Sequence, residues 1–264
     1  MAPLSVELRQ QPDVVRHQIR RGILSLPVGD ARRAYVQEMF TRIAPRYDLL
    51  NTLLTLGLDR TWRNAVRDAA ALQPNALALD IGTGTGRLAD CLRDGQPSAR
   101  VFGVDLALGM LRVGLAAEHD RIGMALPTRV AAADALALPF DDGTLDCVVS
   151  AFTIRNLADV AAGVREQLRV LRPGGRLVCL ELADPAHPAT AALFRAYFRT
   201  VAPVAGRLIA GAADAYTYLP DSVAAFMPPS RLAKLMRAEG LQSVRWRRLH
   251  PGTVALYTGV KPVA

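Results

Sequence analysis

Lysine is almost missing from this sequence: of 32 basic residues among 264, only Lys234 and Lys261 are not arginine, which hints at a GC-rich genome as much as at function. Cysteine is scarce as well. Cys91, Cys147 and Cys179 lie far apart in apolar stretches, with no CxxC and no Cys/His cluster. That spacing argues against a zinc site or a disulfide framework and for small buried hydrophobes in a reducing compartment. Aromatic residues are only 6% of the chain, too few for the stacking platforms that hold single-stranded nucleic acid. No apolar run reaches the length of a membrane span; the most apolar late stretch, 201–213, is short and interrupted by Arg207. The first residues carry Glu7, Arg9, Asp13, Arg16, Arg20 and Arg21 with no apolar core, unlike a secretory signal, so the expected location is the cytoplasm. What remains is ordinary: 51% hydrophobic, 21% charged, 20 Gly and 17 Pro. Disordered and collagenous chains are excluded, and the length suits one large α/β domain or two small ones.

The net charge of +8 is uneven. Residues 16–63 carry +5 and residues 195–248 carry +6, whereas the middle, 64–194, carries −3. The basic character therefore belongs to the flanks. One reading is solvated faces; the other is attraction to an anionic surface, membrane or nucleic acid.

Residues 1–30 show no firm period and contain Pro12, Pro27 and Gly29; they read as an arm, ahead of a single domain over 31–264. Val36, Met39, Phe40 and Ile43 recur at helical spacing, with Pro45 expected to end that helix. Trp62, Val66, Ala69 and Ala70 suit a second helix, and 31–72 reads as a helical lid. Trp62 is expected in the core. Continuous apolar runs then alternate with helix-like segments: 77–81, 101–105, 130–133, 145–151 and 175–182 are the runs. This pattern predicts a parallel sheet covered on both faces. A partly helical insert follows over about 187–227, then a helix and two last strands. Such sheets bind ligands beyond the carboxyl ends of their strands.

The strongest local signal is Leu79-Asp80-Ile81-Gly82-Thr83-Gly84-Thr85-Gly86, a glycine turn between strand and helix. Arg87 stands where a dinucleotide fingerprint would place its third glycine. Asp80 before a GxGxG is instead the pattern for S-adenosylmethionine, which offers an amino-acid end and a ribose to grip and no pyrophosphate; a tight structural turn is the plain alternative. Asp105 ends the second strand and suits either two ribose hydroxyls or a helix N-cap. Asp134 and Ala135, after the third strand, suit an adenine edge or a turn. Ser150, ending the fourth strand, suits a donor contact or a buried backbone bond. The four histidines form no triad or ligand set, and no metal is expected.

A family resemblance rests on longer blocks. Residues 39–51 (MFTRIAPRYDLLN), 56–63 (LGLDRTWR), 135–150, Phe152-Thr153-Ile154-Arg155-Asn156, 171–181, and 213–219 with Ser222 and Val223 resemble the ubiquinone/menaquinone C-methyltransferases, the UbiE/Coq5 family. The glycine turn and Arg-Pro-Gly-Gly recur in many methyltransferases; the Arg-Tyr-Asp and Phe-x-x-Arg-Asn blocks are narrower. The resemblance runs over about 36–262 and implies a class I methyltransferase fold, α/β and Rossmann-like, with seven mostly parallel strands. It implies donor contacts at Thr85, Asp105, Asp134, Ala135 and Ser150, beside the turn glycines Gly82 and Gly84, which let backbone come close to a ligand. It further implies a reduced polyprenyl quinone ring, methylated on carbon, with S-adenosylhomocysteine as second product. Thr153 departs from the family's usual glycine.

That chemistry asks for a phenolate beside the accepting carbon. Arg155 is the expected activating group, with Asn156 beside it and Tyr47 on the lid; an ion pair fixing the loop is the structural alternative for Arg155. Because arginine holds its proton to above about pH 12, the expected role is to stabilise the phenolate or to hold a water that takes the proton. A lipophilic quinol, an anionic membrane surface touched peripherally at the inner face of the cell membrane, and a second copy of the chain are the expected partners, without nucleic acid. Benzoquinol and naphthoquinol both remain open, with a lean to demethylmenaquinol. Another aromatic or lipid-like acceptor is the alternative, and a nucleic-acid methyltransferase a more distant one.

Overall fold

In the computed structural model, which describes residues 29–121, 129–205 and 213–263, two helices precede any strand: α1 (Gly29–Leu54) and α2 (Leu58–Ala70). Alternation then sets in with β1 (Leu77–Ile81), α3 (Arg87–Gly95), β2 (Arg100–Asp105), α4 (Leu108–Arg121) and β3 (Arg129–Ala132). Next come β4 (Leu145–Ala151), one 3-10 turn (Ile154–Asn156), α5 (Val160–Val170) and β5 (Leu171–Leu182). Helices α6 (Pro188–Ala205), α7 (Ala213–Ala225) and α8 (Pro229–Ala238) lead into β6 (Gln242–Leu249) and β7 (Val254–Val260). The seven strands form one sheet in the order β3-β2-β1-β4-β5-β7-β6. β1 to β5 pair in parallel, and β7 runs antiparallel to both of its neighbours. This is the mostly parallel sheet expected from the alternating runs. The order reverses between β1 and β4, so a crevice opens beyond their carboxyl ends.

Both faces of the sheet are covered, which explains why its strands are apolar throughout rather than alternating. Val148, Leu177 and Cys179 pack under α5 and α8, against Val164, Leu232 and Met236. Their strand neighbours Val149, Val178 and Leu180 point the other way, against Trp62, Val66, Leu88 and Leu92 of α2 and α3. Trp62 is core, as expected, and its Nε1 donates to the His250 carbonyl at 2.9 Å.

Two expectations need correction. Pro45 does not end the first helix; α1 continues through it to Leu54. A proline inside a helix costs about 3 kcal/mol. Beyond it, Leu50 and Leu54 are buried with Met39, Ile43, Met110 and Tyr218, and two such leucines contribute roughly 1.5–3 kcal/mol each. Burial outweighs the missing N–H. The fifth strand begins not at Gly175 but at Leu171, paired with Leu145. The chain passes through Arg-Pro-Gly-Gly as an irregularity within the strand, with Gly174 at φ 76°. Residues 1–28 of the arm and 206–212 of the insert lie outside the described residues.

Candidate active site

The glycine turn is built where β1 stops. Gly82, Gly84 and Gly86 take φ of 67°, 58° and 85°, a region that favours glycine. Gly82 and Thr83 both donate to the Val104 carbonyl, at 2.8 and 3.0 Å, tying the turn to β2. A Cβ at Gly82 would lie 2.2 Å from Thr153 Oγ1, so the turn after β4 packs directly on it. Thr153 Oγ1 donates towards the Ile81 and Ala151 carbonyls, each at 3.1 Å.

Two carboxylates support the turn. Asp105 accepts from Gly84 N and from Ala107 N, both at 2.8 Å, so it fixes the turn that leads into α4 and holds the glycines at once. A carboxylate offers about four lone-pair sites, which leaves Asp105 capacity for a ligand. Burial raises its pKa, and the Ala107 and Gly84 backbone donors oppose that rise. Asp80 is 1% exposed. Its Oδ2 accepts from Thr83 Oγ1 at 2.8 Å, while its buried Oδ1 has no partner. Desolvation pushes its pKa up to about 7. An orphaned carboxylate oxygen beside this turn is a demand for a cationic donor, and the ammonium of S-adenosylmethionine fits it.

The first cavity, about 820 Å³ of empty space, lies over the turn. Gly82, Gly84, Asp105, Asp134, Ala135, Tyr47 and Asn156 line it, with Val104, Met110 and Leu136 as an apolar slab. Asp134 Oδ1 accepts from Leu136 N at 2.9 Å, the turn geometry foreseen for it, and Oδ2 meets Arg33 Nε at 3.0 Å. Three expected donor residues do not line this space: Asp80, Thr85 and Ser150. Asp80 lies one residue behind Ile81 in the wall. The Thr85 hydroxyl is taken by Asp48 Oδ1 at 2.8 Å. Ser150 is buried in the sheet opposite Cys179, and Ala151 lines the cavity in its stead.

A larger, mostly apolar cavity of about 1650 Å³ adjoins the first. The two share Phe40, Tyr47, Gly82, Gly84, Ala151 and Phe152. Arg155 lines only the second and Asn156 only the first. The spacing of Phe-x-x-Arg-Asn now has a physical reason. Phe152 leaves β4 at φ 59°, and its carbonyl accepts from Arg155 Nη1 at 2.6 Å and from Asn156 Nδ2 at 3.1 Å. Arg155 Cζ stands 5.9 Å from the Phe152 ring centroid. The ion pair considered for Arg155 is present: Glu181 Oε1 lies 2.6 Å from Nη1, and Oε2 accepts from Arg155 N at 3.0 Å. Glu181 is fully buried and Arg155 is 5% exposed. Arg32 donates from Nη2 to the Arg155 carbonyl.

Helices α1 and α7 close the arrangement. Asp48 Oδ2 pairs with Arg87 Nε at 2.9 Å, so together with the Thr85 bond it fastens α1 to the glycine turn. Tyr47 stands in the shared wall, edge-on to Phe40 with centroids 5.8 Å apart. Burial pushes its phenol pKa up, opposed by a hydrogen bond with Asn51. Tyr218 donates to Asn156 Oδ1 at 3.2 Å and packs against Tyr35, 5.4 Å between centroids.

Glu181 and Tyr218 fall inside the 171–181 and 213–219 blocks, whose resemblance gives neither a role. Glu181 did carry a signal: a lone carboxylate inside Val178-Cys179-Leu180-Glu181-Leu182 has to find a cation. Nothing local announces Tyr218 as the partner of Asn156.

Residues 28–261 match the ubiE/COQ5 methyltransferase family. The chain is 43% identical over 236 residues to the demethylmenaquinone methyltransferase of Roseiflexus sp. (strain RS-1), which spans 89% of this chain and 97% of that one. It is 45% identical over 237 residues to the demethylmenaquinone methyltransferase of Deinococcus radiodurans, with the same shares. Among solved structures, Haemonchus contortus phosphoethanolamine N-methyltransferase 2 in complex with S-adenosyl-L-methionine is similar in fold. Its TM-score is 0.56 at 16% identity, over 76% of this chain and 52% of that one.

Proposed function

The chain belongs to the ubiE/COQ5 methyltransferase family, and we propose that its two cavities divide one reaction between them, donor in the first and demethylmenaquinol in the second. The activity class is established by that membership: an S-adenosylmethionine-dependent methyltransferase of quinone biosynthesis. Bound in the first cavity, S-adenosylmethionine supplies an electrophilic methyl group on a sulfonium. Gly82 and Gly84 let backbone approach it, Asp105 has lone pairs for ribose hydroxyls, and Asp134 with Ala135 offers an edge for adenine. Asp80, one residue behind the cavity wall with Oδ1 unpaired, sets a negative charge beneath the glycine turn on the side of its ammonium.

On the acceptor side the chemistry belongs to the protein's own residues. A quinol carbon becomes nucleophilic when the neighbouring hydroxyl loses its proton. A guanidinium only donates hydrogen bonds, so Arg155 stabilises the phenolate while water takes the hydroxyl proton and, once the methyl group is on carbon, the ring proton. Its pair with Glu181 and the Phe152 carbonyl keep the guanidinium plane in one orientation, so no reorganisation is needed as charge develops. Asn156 is held by Tyr218 on the donor side of the same turn, and Tyr47 orients the ring in the shared wall. The observation that carries this reading is the shared wall: a large apolar cavity meets the glycine turn, with Arg155 on its side alone. A lipophilic acceptor and basic flanks further favour peripheral contact with the anionic inner face of the cell membrane.

The test is methyl transfer from labelled S-adenosylmethionine to chemically reduced demethylmenaquinone in detergent, beside the demethylated benzoquinol. Methylated naphthoquinol is the expected product. Transfer to the benzoquinol alone would move the protein to ubiquinone synthesis. Transfer to neither, with donor binding intact, would overturn the quinol assignment and point to Thr153 as the first clue to another acceptor.

A further inference from the structure

Helix α1 carries opposite chemistry on its two sides. Ile43, Asn51, Leu54 and Thr55 line the second cavity. Outside, Leu49 is 53% exposed, Leu53 48% and Leu56, in the turn that closes the helix, 85%. Leu49 and Leu53, at i and i+4, share one side of the helix, and Leu56 follows in the turn. Arg46 and Arg42 continue that side one and two turns earlier, Arg60 follows at the start of α2, and all three are exposed. Cations thus flank the leucines along the chain. Tyr197 donates to the Leu54 carbonyl at 3.2 Å, which brings α6 beside the end of α1. There Leu193, Val201 and Val204, on the Tyr197 side of α6 at i−4, i+4 and i+7, are 72%, 42% and 58% exposed. Isolated exposed leucines are normal, but six exposed apolar side chains on two helices joined by the Tyr197 bond, with exposed arginines beside them, suit a contact surface.

We propose that this face seats the protein on an anionic lipid bilayer, with Leu49, Leu53, Leu56 and the α6 side chains at the acyl boundary and Arg42, Arg46 and Arg60 at headgroup level. The proposal rests on the quinol reading above: the acceptor would pass from the bilayer along α1 into the second cavity. No helix among the described residues is long and apolar enough to cross a membrane, so the contact lies in the interface. A second copy of this chain fits the face less well. A two-fold contact would bring each arginine-bearing stripe against the same stripe of the other copy, at a cost in like-charge repulsion.

The experiment compares the wild type with L49S/L53S/L56S, none of which lines either cavity, by flotation with phosphatidylcholine vesicles with and without phosphatidylglycerol. The wild type is expected to float with the anionic vesicles about ten-fold better than with the neutral ones, and less so as salt rises. The triple variant is expected to lose about ten-fold in vesicle binding, since three leucines leave the interface. Its turnover of a short-tailed, water-soluble quinol should equal that of the wild type. Equal flotation of the two proteins, or none by either, overturns the face. Failure of the wild type on the short-tailed quinol overturns the quinol reading, whatever floats. A doubled mass in solution that the triple variant abolishes, without flotation, would make the face a dimer contact and overturn the proposal. Leu53→Trp supplies a readout independent of the triple variant. Its emission should shift to the blue on adding anionic vesicles, and an unchanged spectrum again counts against the face.

Discussion

The two cavities, the proposed donor side and the proposed acceptor side, share a wall but are assembled differently. The donor side uses the carboxyl ends of β1 and β2 and the turn after β3, and its parts are mostly backbone: three positive-φ glycines, the Ala135 edge, and a carboxylate clamped by two N–H groups. The acceptor side draws on α1, α2, the turn after β4, the end of β5 and α7, and it depends on side chains meeting at a distance. Arg155 and Glu181 are 26 residues apart, Asn156 and Tyr218 62. On the proposed division, the donor rests on the sheet's own geometry and the acceptor where the helices outside the alternating pattern meet. Asp48 is the joint between the halves, since it reaches from α1 to Thr85 and Arg87.

Mutations can separate the halves or show that they are one. The largest effect is expected for Glu181→Ala, which leaves a buried guanidinium without its counter-charge. Loss of one partner of such a pair costs about 3–5 kcal/mol, read as a lower urea midpoint. Calorimetry on the folded fraction should still find donor affinity near wild type; a parallel fall in donor affinity would break the division. Next, Arg155→Lys keeps the charge and loses the planar fork. It should lower kcat by about 100-fold with donor affinity unchanged, and full turnover would show that the fork does not matter.

Asp80→Asn tests the other half. Losing a charged acceptor for the ammonium should weaken donor binding by about ten-fold, for a bond to a charged group, while a quinol analogue binds as before. The pH dependence has a defined sign. The folded pKa of about 7 stands above the ordinary 3.8, so the empty protein takes up a proton on folding. The stability from Asp80 is therefore full below about pH 3.8 and is lost as pH rises through about 7. Donor affinity should move oppositely and rise through the same range, because the ammonium needs the carboxylate. Asn at position 80 should flatten both profiles. The smallest effect is expected for Tyr218→Phe, which removes one hydrogen bond to Asn156, worth about 1 kcal/mol. It should change kcat by several-fold without altering donor affinity.

The sequence carried the donor side further than the acceptor side. The glycine turn, Asp105 and Asp134 could be placed from residues within a few positions of each strand end. Thr85, named by the resemblance, and Ser150, named from its strand end, lie outside the first cavity's lining: the Thr85 hydroxyl bonds Asp48 of α1, and Ser150 is buried opposite Cys179. Pro45 looked like a helix end because its missing N–H is local, whereas the burial that carries α1 past it comes from α4 and α7.

Composition and periodicity alone commit this chain to a parallel sheet under helices, with a glycine turn after an acidic residue, because those features arise between neighbours on the chain. Packing alone settles which carboxylate meets Arg155. β4 and β5 pair with Ala151 opposite Leu180, and that register brings Glu181 level with the turn where Phe152 reverses the chain. A one-residue slip would carry Glu181 to the opposite face of the sheet. Strand register and helix docking are properties of the whole core, and no single segment encodes them.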